Sequence, residues 1–247
     1  MIDMRIFISF DFDRTLADYS KAHGNAILGG IYEVFDKKFQ VNWFDLHSSG
    51  LTDLQIITDL VHNHGISYHT IFKRMNNCVY TITDIFNKYL SIYPVELLDK
   101  ADEIIEDLYK RDNVIIGLST GNIRSISLEK IYYTGIDQFF KFGSFGDEVF
   151  NRYQLLRKTK NRLIQNFHFS SYEIAMHVGD STLDVLSAKK AGFIPIGVAT
   201  GNYSKEKLRE AGATFVFNNL KEFNNSFDAM LDGIKKMQKG LSLSYKY

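Results

Sequence analysis

Asp11 and Asp13 follow an apolar run, Ile6-Phe7-Ile8-Ser9-Phe10, and no basic residue accompanies them before Arg14. Two like charges at i and i+2 are unfavourable unless a cation neutralises them. Two other apolar runs end in comparable groups: Ser119-Thr120-Gly121-Asn122 and Gly179-Asp180-Ser181-Thr182-Leu183-Asp184. Between these lies a segment that begins near Arg152 and carries Arg157, Lys158 and Lys160. Such groups suit a phosphate ester. Asp11 as a carboxylate nucleophile would form an aspartyl-phosphate and divide a hard hydrolysis into two steps. Asp13 would protonate the leaving oxygen and then deprotonate the attacking water. The Thr120 hydroxyl, the amides of the Gly121-Asn122 turn and the Arg152 cation would hold phosphoryl oxygens. Mg²⁺ prefers octahedral oxygen ligands, so Asp11, the carbonyl of Asp13 and Asp180 would serve it, with Asp184 supporting through water. A bound cation makes the crowded acids tolerable.

These groups need elements to bring them to one place. Residues 113–119, 173–179, 193–198 and 214–217 read as buried strands, joined by the opening run at 5–10. Helical patterns over about 97–111, 183–191 and 204–210 separate several of them, and a further helix starts near Arg152. Strand and helix in alternation argue for a parallel sheet with helices on both faces, whose carboxyl ends gather ligands. Residues 17–93 differ. They hold helical patterns at 20–35, 54–62 and 68–90, no buried strand, and end at Pro94, which favours an extended boundary. They read as a helical insertion, giving a core of 1–16 and 94–247 and a cap of 17–93. Residues 239–247 read as a polar tail.

The bulk numbers narrow the setting. The chain has 247 residues, with Lys+Arg and Asp+Glu both at 29, so no global basic field draws it to nucleic acid or an anionic membrane. Its single cysteine, Cys78, excludes an intramolecular disulfide and fits a reducing compartment. The apolar N-terminal run is too short, and too soon broken by acids, for a signal peptide or membrane span. A soluble, cytoplasmic protein with a small-molecule partner is expected.

DFDRTL at 11–16, LSTGN at 118–122 and VGDSTLD at 178–184 resemble the first, second and fourth motifs of the haloacid dehalogenase-like hydrolase superfamily. The order is also the family's, and GVATGNYSKEKLREAGATFVF at 197–217 resembles the segment after the fourth motif in phosphoglycolate-phosphatase-like members. The resemblance implies a Rossmann-like, doubly wound parallel sheet with an inserted all-helical C1 cap. It also implies an Mg²⁺-dependent phosphatase acting on a small phosphorylated metabolite. Asp18 and His23 fall where the family pattern DxDxTLxDxxxxH places them. Ser49-Gly50-Leu51-Thr52-Asp53 resembles the cap loop that reaches onto the substrate. Substrate contacts are therefore implied at His23, Gly50 and Thr52, beside Gly121 and Asn122. The third-motif cation is assigned to Arg152, with Lys158 as the alternative, and Arg14 stands where the family usually has glycine. A 2-haloacid dehalogenase would need neither Asp13 nor a metal, because halide leaves without a proton. A phosphomutase for sugar phosphates would use the same groups, and a non-catalytic binding module would dispense with some of the acids.

Overall fold

A computed structural model of the chain describes residues 4–36, 50–168 and 174–244. Six strands form one parallel sheet: β1 (Ile6–Phe10), β2 (Val114–Ser119), β3 (Phe142–Ser144), β4 (Ile174–Gly179), β5 (Ile194–Val198) and β6 (Phe215–Phe217). Their order is β3-β2-β1-β4-β5-β6. β1 is buried along its whole length, as a central parallel strand covered on both faces must be. Its register pairs Phe10 with Leu118 on one side and with Val178 on the other. Strand order reverses at β1, the switch point where a doubly wound sheet opens a crevice beyond its carboxyl ends. The residues just past β1, β2 and β4 are Asp11, Thr120 and Asp180. The fold is thus the α/β arrangement expected, and it delivers the three motifs to one rim.

Among the described residues of 17–93 there are three helices: α1 (Lys21–Phe35), α2 (Asp53–Asn63) and α3 (Tyr68–Leu90). Ser20 caps α1, accepting from the Ala22 amide, while Thr52 and Ser67 cap α2 and α3 in the same way. α1 lies close against α3 because Gly29 and Gly30 present no side chain there. A Cβ on Gly30 would collide with Ile82. The outgoing and returning chains are tied together: the Asp18 amide donates to the Glu96 carbonyl at 2.8 Å, and that of Leu98 to Leu16 at 2.9 Å. Helices α4 (Ala101–Tyr109), α5 (Arg124–Tyr133), α6 (Arg152–Phe167), α7 (Thr182–Ala191), α8 (Lys205–Glu210), α9 (Leu220–Asn225) and α10 (Phe227–Ser244) flank the sheet. Among the described residues no helix is long and apolar enough to cross a membrane.

Several boundaries differ from expectation. α4 begins four residues after the expected Leu97, because Lys100 takes a left-handed conformation that starts the helix afresh. The expected polar tail from Lys239 is helical as far as Ser244. α5, β3 and α9 were not foreseen. Ser49 of the expected cap loop and Glu173 of the fourth-strand run lie outside the described residues.

Candidate active site

The Asp11 side chain, just beyond β1, is buried beside those of Asp180 and Asp184 from the β4–α7 junction. Each of the three acids offers an oxygen within 4.8 Å of the others. Arg152, first residue of α6 and itself buried, reaches into this cluster: Nη2 lies 2.7 Å from Asp11 Oδ1 and 2.5 Å from Asp184 Oδ1. These are ion pairs of close approach rather than aligned hydrogen bonds, and Arg152 Nε has no hydrogen-bond partner among the described residues. One cation among three buried acids leaves excess negative charge. Burial accordingly pushes Asp11 up to about 6, with Arg152 opposing and Asp184 reinforcing the shift. Burial, then the charges of Asp184 and Asp11, raise Asp180 well above the carboxylate range.

Asp184 behaves oppositely. Burial disfavours its charge, but Arg152 and then His177 outweigh this and hold the carboxyl far below its ordinary value. Its oxygens are committed. Oδ1 meets Arg152 and His177 Nε2 at 3.2 Å, while Oδ2 accepts from the Ser181 hydroxyl at 2.6 Å and amide at 3.1 Å, closing a capping box at the start of α7. His177 in turn meets Ser9 Oγ at 3.1 Å, and Ser9 donates to Ser119 at 2.7 Å. A buried polar ladder beneath the sheet end therefore braces Asp184.

Asp13 is placed differently. Lys130 of α5, wholly buried, puts Nζ at 2.7 and 2.8 Å from the two Asp13 oxygens and at 2.6 Å from Asn122 Oδ1. Burial opposes the Asp13 charge, but Lys130 and then His23 outweigh it, keeping the carboxyl below its usual value. His23 approaches from α1, its Nδ1 3.4 Å from Lys130 Nζ and its Nε2 2.9 Å from Asp53 Oδ2. Asp53 also accepts the Ile123 amide at 2.7 Å. A carboxylate can only accept, so His23 Nε2 carries a proton toward Asp53.

The remaining expected site residues sort by position. Thr120 is buried, and its hydroxyl oxygen accepts the Asn122 amide at 3.3 Å, which leaves the hydroxyl proton to donate. Gly121 lies under the inserted loop, where a side chain would strike the Leu51 carbonyl and meet Arg152 Nη1 at 3.1 Å. Gly50 has φ +82° and packs on Ser181 and Leu183. Thr52 caps α2 and donates to the Phe150 carbonyl at 2.7 Å. Asn122 and His23 face the Lys130 network rather than the acid cluster. Lys158 stands apart, paired with Glu148 at 3.2 Å. Arg14, at φ +62°, holds the left-handed turn where glycine is usual, and Thr200 donates to its carbonyl. Lys130 and His177 escaped the sequence reading, and Asp53 entered it only as the last residue of the cap-loop motif. His177 left a signal as the one polar side chain in the apolar β4 run, whereas Lys130 left none.

Comparison with known proteins bears on the fold and the family. No curated protein sequence matches the chain. Among solved structures, a predicted phosphatase from Clostridium acetobutylicum superposes with TM-score 0.66 at 19% identity, over 91% of this chain and 99% of that one. CbbY from Rhodobacter sphaeroides, solved with phosphate, gives TM-score 0.66 at 16% identity, over 89% and 96%. A candidate β-phosphoglucomutase from Bacteroides vulgatus gives 0.65 at 18%, over 93% and 90%. At these identities the likeness is one of fold. The sequence model of the haloacid dehalogenase-like hydrolases matches residues 8–198, taking in all three strand-end motifs. The chain belongs to the haloacid dehalogenase-like hydrolase family.

Proposed function

We propose that the protein is a Mg²⁺-dependent phosphatase that hydrolyses a small phosphomonoester through an aspartyl-phosphate on Asp11. The observation that carries this reading is the division of labour between two acids at one strand end. Asp11 sits in a cluster with excess negative charge and one buried arginine, whereas Asp13 is held by a separate cation. A dehalogenase has no use for that second acid.

The donor set suits Mg²⁺, being hard carboxylate oxygen with unneutralised charge. Asp11, Asp180 and the Asp13 carbonyl would hold the ion, and Asp184, its oxygens already occupied, would support them through water. The bound ion would supply charge neutralisation for the phosphoryl group. Every other step falls to side chains of this chain. Asp11 attacks phosphorus. Arg152, with an unpartnered buried Nε, and the Thr120 hydroxyl bind phosphoryl oxygens. Asp13, ionised beside Lys130 in the free protein, would take a proton from the bound ester's phosphoryl monoanion, pass it to the leaving oxygen and later take one from water. Residues 17–93 would form a cap that sets substrate choice, with the loop at Gly50–Thr52 resting on the core loops. The setting read from composition, a cytoplasmic enzyme for a phosphorylated metabolite, fits this reading.

The test is phosphate release from a generic aryl phosphate and a panel of phosphorylated metabolites, with Mg²⁺ and with EDTA. Release that requires Mg²⁺ supports the proposal. Turnover in EDTA, or none on any ester, overturns it.

A further inference from the structure

Among the described residues Lys130 is the largest charged group with no exposed surface, and nothing in the mechanism above uses it. Its surroundings match its chemistry closely. An ammonium has three protons, and Nζ has three kinds of neighbour: both Asp13 oxygens, Asn122 Oδ1 and His23 Nδ1. Nζ also stands 5.5 Å from the centroid of the Phe12 ring, between Asp11 and Asp13 in sequence. A buried ion pair contributes little to stability compared with apolar residues of the same shape, so packing alone does not call for this one. What the pair does achieve is orientation. An aspartate gripped through both oxygens cannot turn about its own side-chain torsions, and the grip is anchored to the Thr120–Asn122 loop.

We propose that Lys130 is the positioning residue for Asp13, fixing the carboxylate that exchanges protons with the leaving group and with water. The inference rests on the phosphatase reading. It predicts that the Lys130 ammonium matters only while Asp13 has acid–base work to do.

The test is a double-mutant cycle of Lys130→Met and Asp13→Asn, assayed with Mg²⁺ on an alkyl phosphate and on p-nitrophenyl phosphate. Lys130→Met should lower kcat on the alkyl ester by about 100-fold or more, within the range for acid–base catalysis, with KM little changed. The first turnover of the aryl ester, whose leaving group needs no proton, should be far less affected. In the Asp13→Asn background the lysine substitution should cause no further loss. That comparison stands even where Lys130→Met alone fails to fold, because the double variant buries no unpaired carboxylate. An equal loss in both backgrounds, or a rise in KM with kcat unchanged, overturns the inference, since Lys130 would then serve the fold or the substrate. Failure of the wild type to release phosphate from any ester would instead overturn the phosphatase reading.

Discussion

The excess negative charge around Asp11 makes a prediction about stability as well as activity. Burial lifts the Asp11 carboxyl from its ordinary 3.8 to about 6 despite Arg152. A raised folded-state pKa means that the native protein binds this proton more tightly than the unfolded chain. Stability from Asp11 is therefore fully present at low pH and falls as pH climbs from 3.8 to about 6. At 1.36 kcal/mol per unit the ionised group costs about 3 kcal/mol above that window. Asp11→Asn is neutral throughout and keeps an oxygen for Arg152, so in EDTA near about pH 8 it should be more stable than wild type by up to that amount. For a chain of this size the gain is about 6–12 °C in Tm, and it should shrink towards zero near about pH 4. Mg²⁺ should close most of this gap. At about 100 times Kd it adds about 2.7 kcal/mol to the wild type, and much less to a variant lacking the Asp11 charge. Thermal melts of both proteins, with EDTA and with Mg²⁺ across that pH range, measure all of this. A variant less stable than wild type at every pH in EDTA, or a gap that does not close in acid, would refute the reasoning.

Two other substitutions should separate the roles of the neighbouring residues. Asp184→Asn should destabilise by about 3–5 kcal/mol, because it strips buried Arg152 of one partner and opens the α7 cap. The Asp184 carboxyl is held low when folded, so its contribution is present above 3.8 and the deficit should stay level from about pH 5 to 8, as denaturant titration would show. Gly201→Ala would drive a Cβ into the Asp180 carboxylate, so the Mg²⁺ concentration for half-maximal activity should rise while the EDTA melt changes little. An unchanged Mg²⁺ requirement in Gly201→Ala would show that Asp180 is not a ligand.

The sequence was most legible where pattern and chemistry coincide. The apolar run ending at Phe10 could only be a buried strand, and the two acids after it could only be tolerated at a site. α3 has the expected bounds, Tyr68–Leu90, since its apolar face repeats over six turns without interruption. Arg152 stood out by heading a helix, and the structure puts it against Asp11. β3 escaped because three residues, Phe142-Gly143-Ser144, carry too little alternation to read. α5 escaped because its apolar residues form no clean stripe. With α5 went Lys130, which as a sequence feature is an ordinary helix lysine. Its burial depends on α5 packing beside Asp13 and α1, a non-local fact that no local pattern encodes. His23 and Asn122 were visible as candidates, but their pairing with Asp53 and Lys130 was not, since it depends on how α1, α2 and α5 pack together.

The central claim is that Asp11 carries the phosphoryl group, and Asp13→Asn offers the means to see it. Without its base the second step should stall and the phosphoenzyme should accumulate. Asp13→Asn mixed with an aryl phosphate and Mg²⁺, quenched in acid and digested, should yield a peptide containing Asp11 heavier by one phosphoryl group, and none from Asp11→Asn. Phosphate release from the wild type, with no such adduct or with the adduct on another residue, would contradict the account.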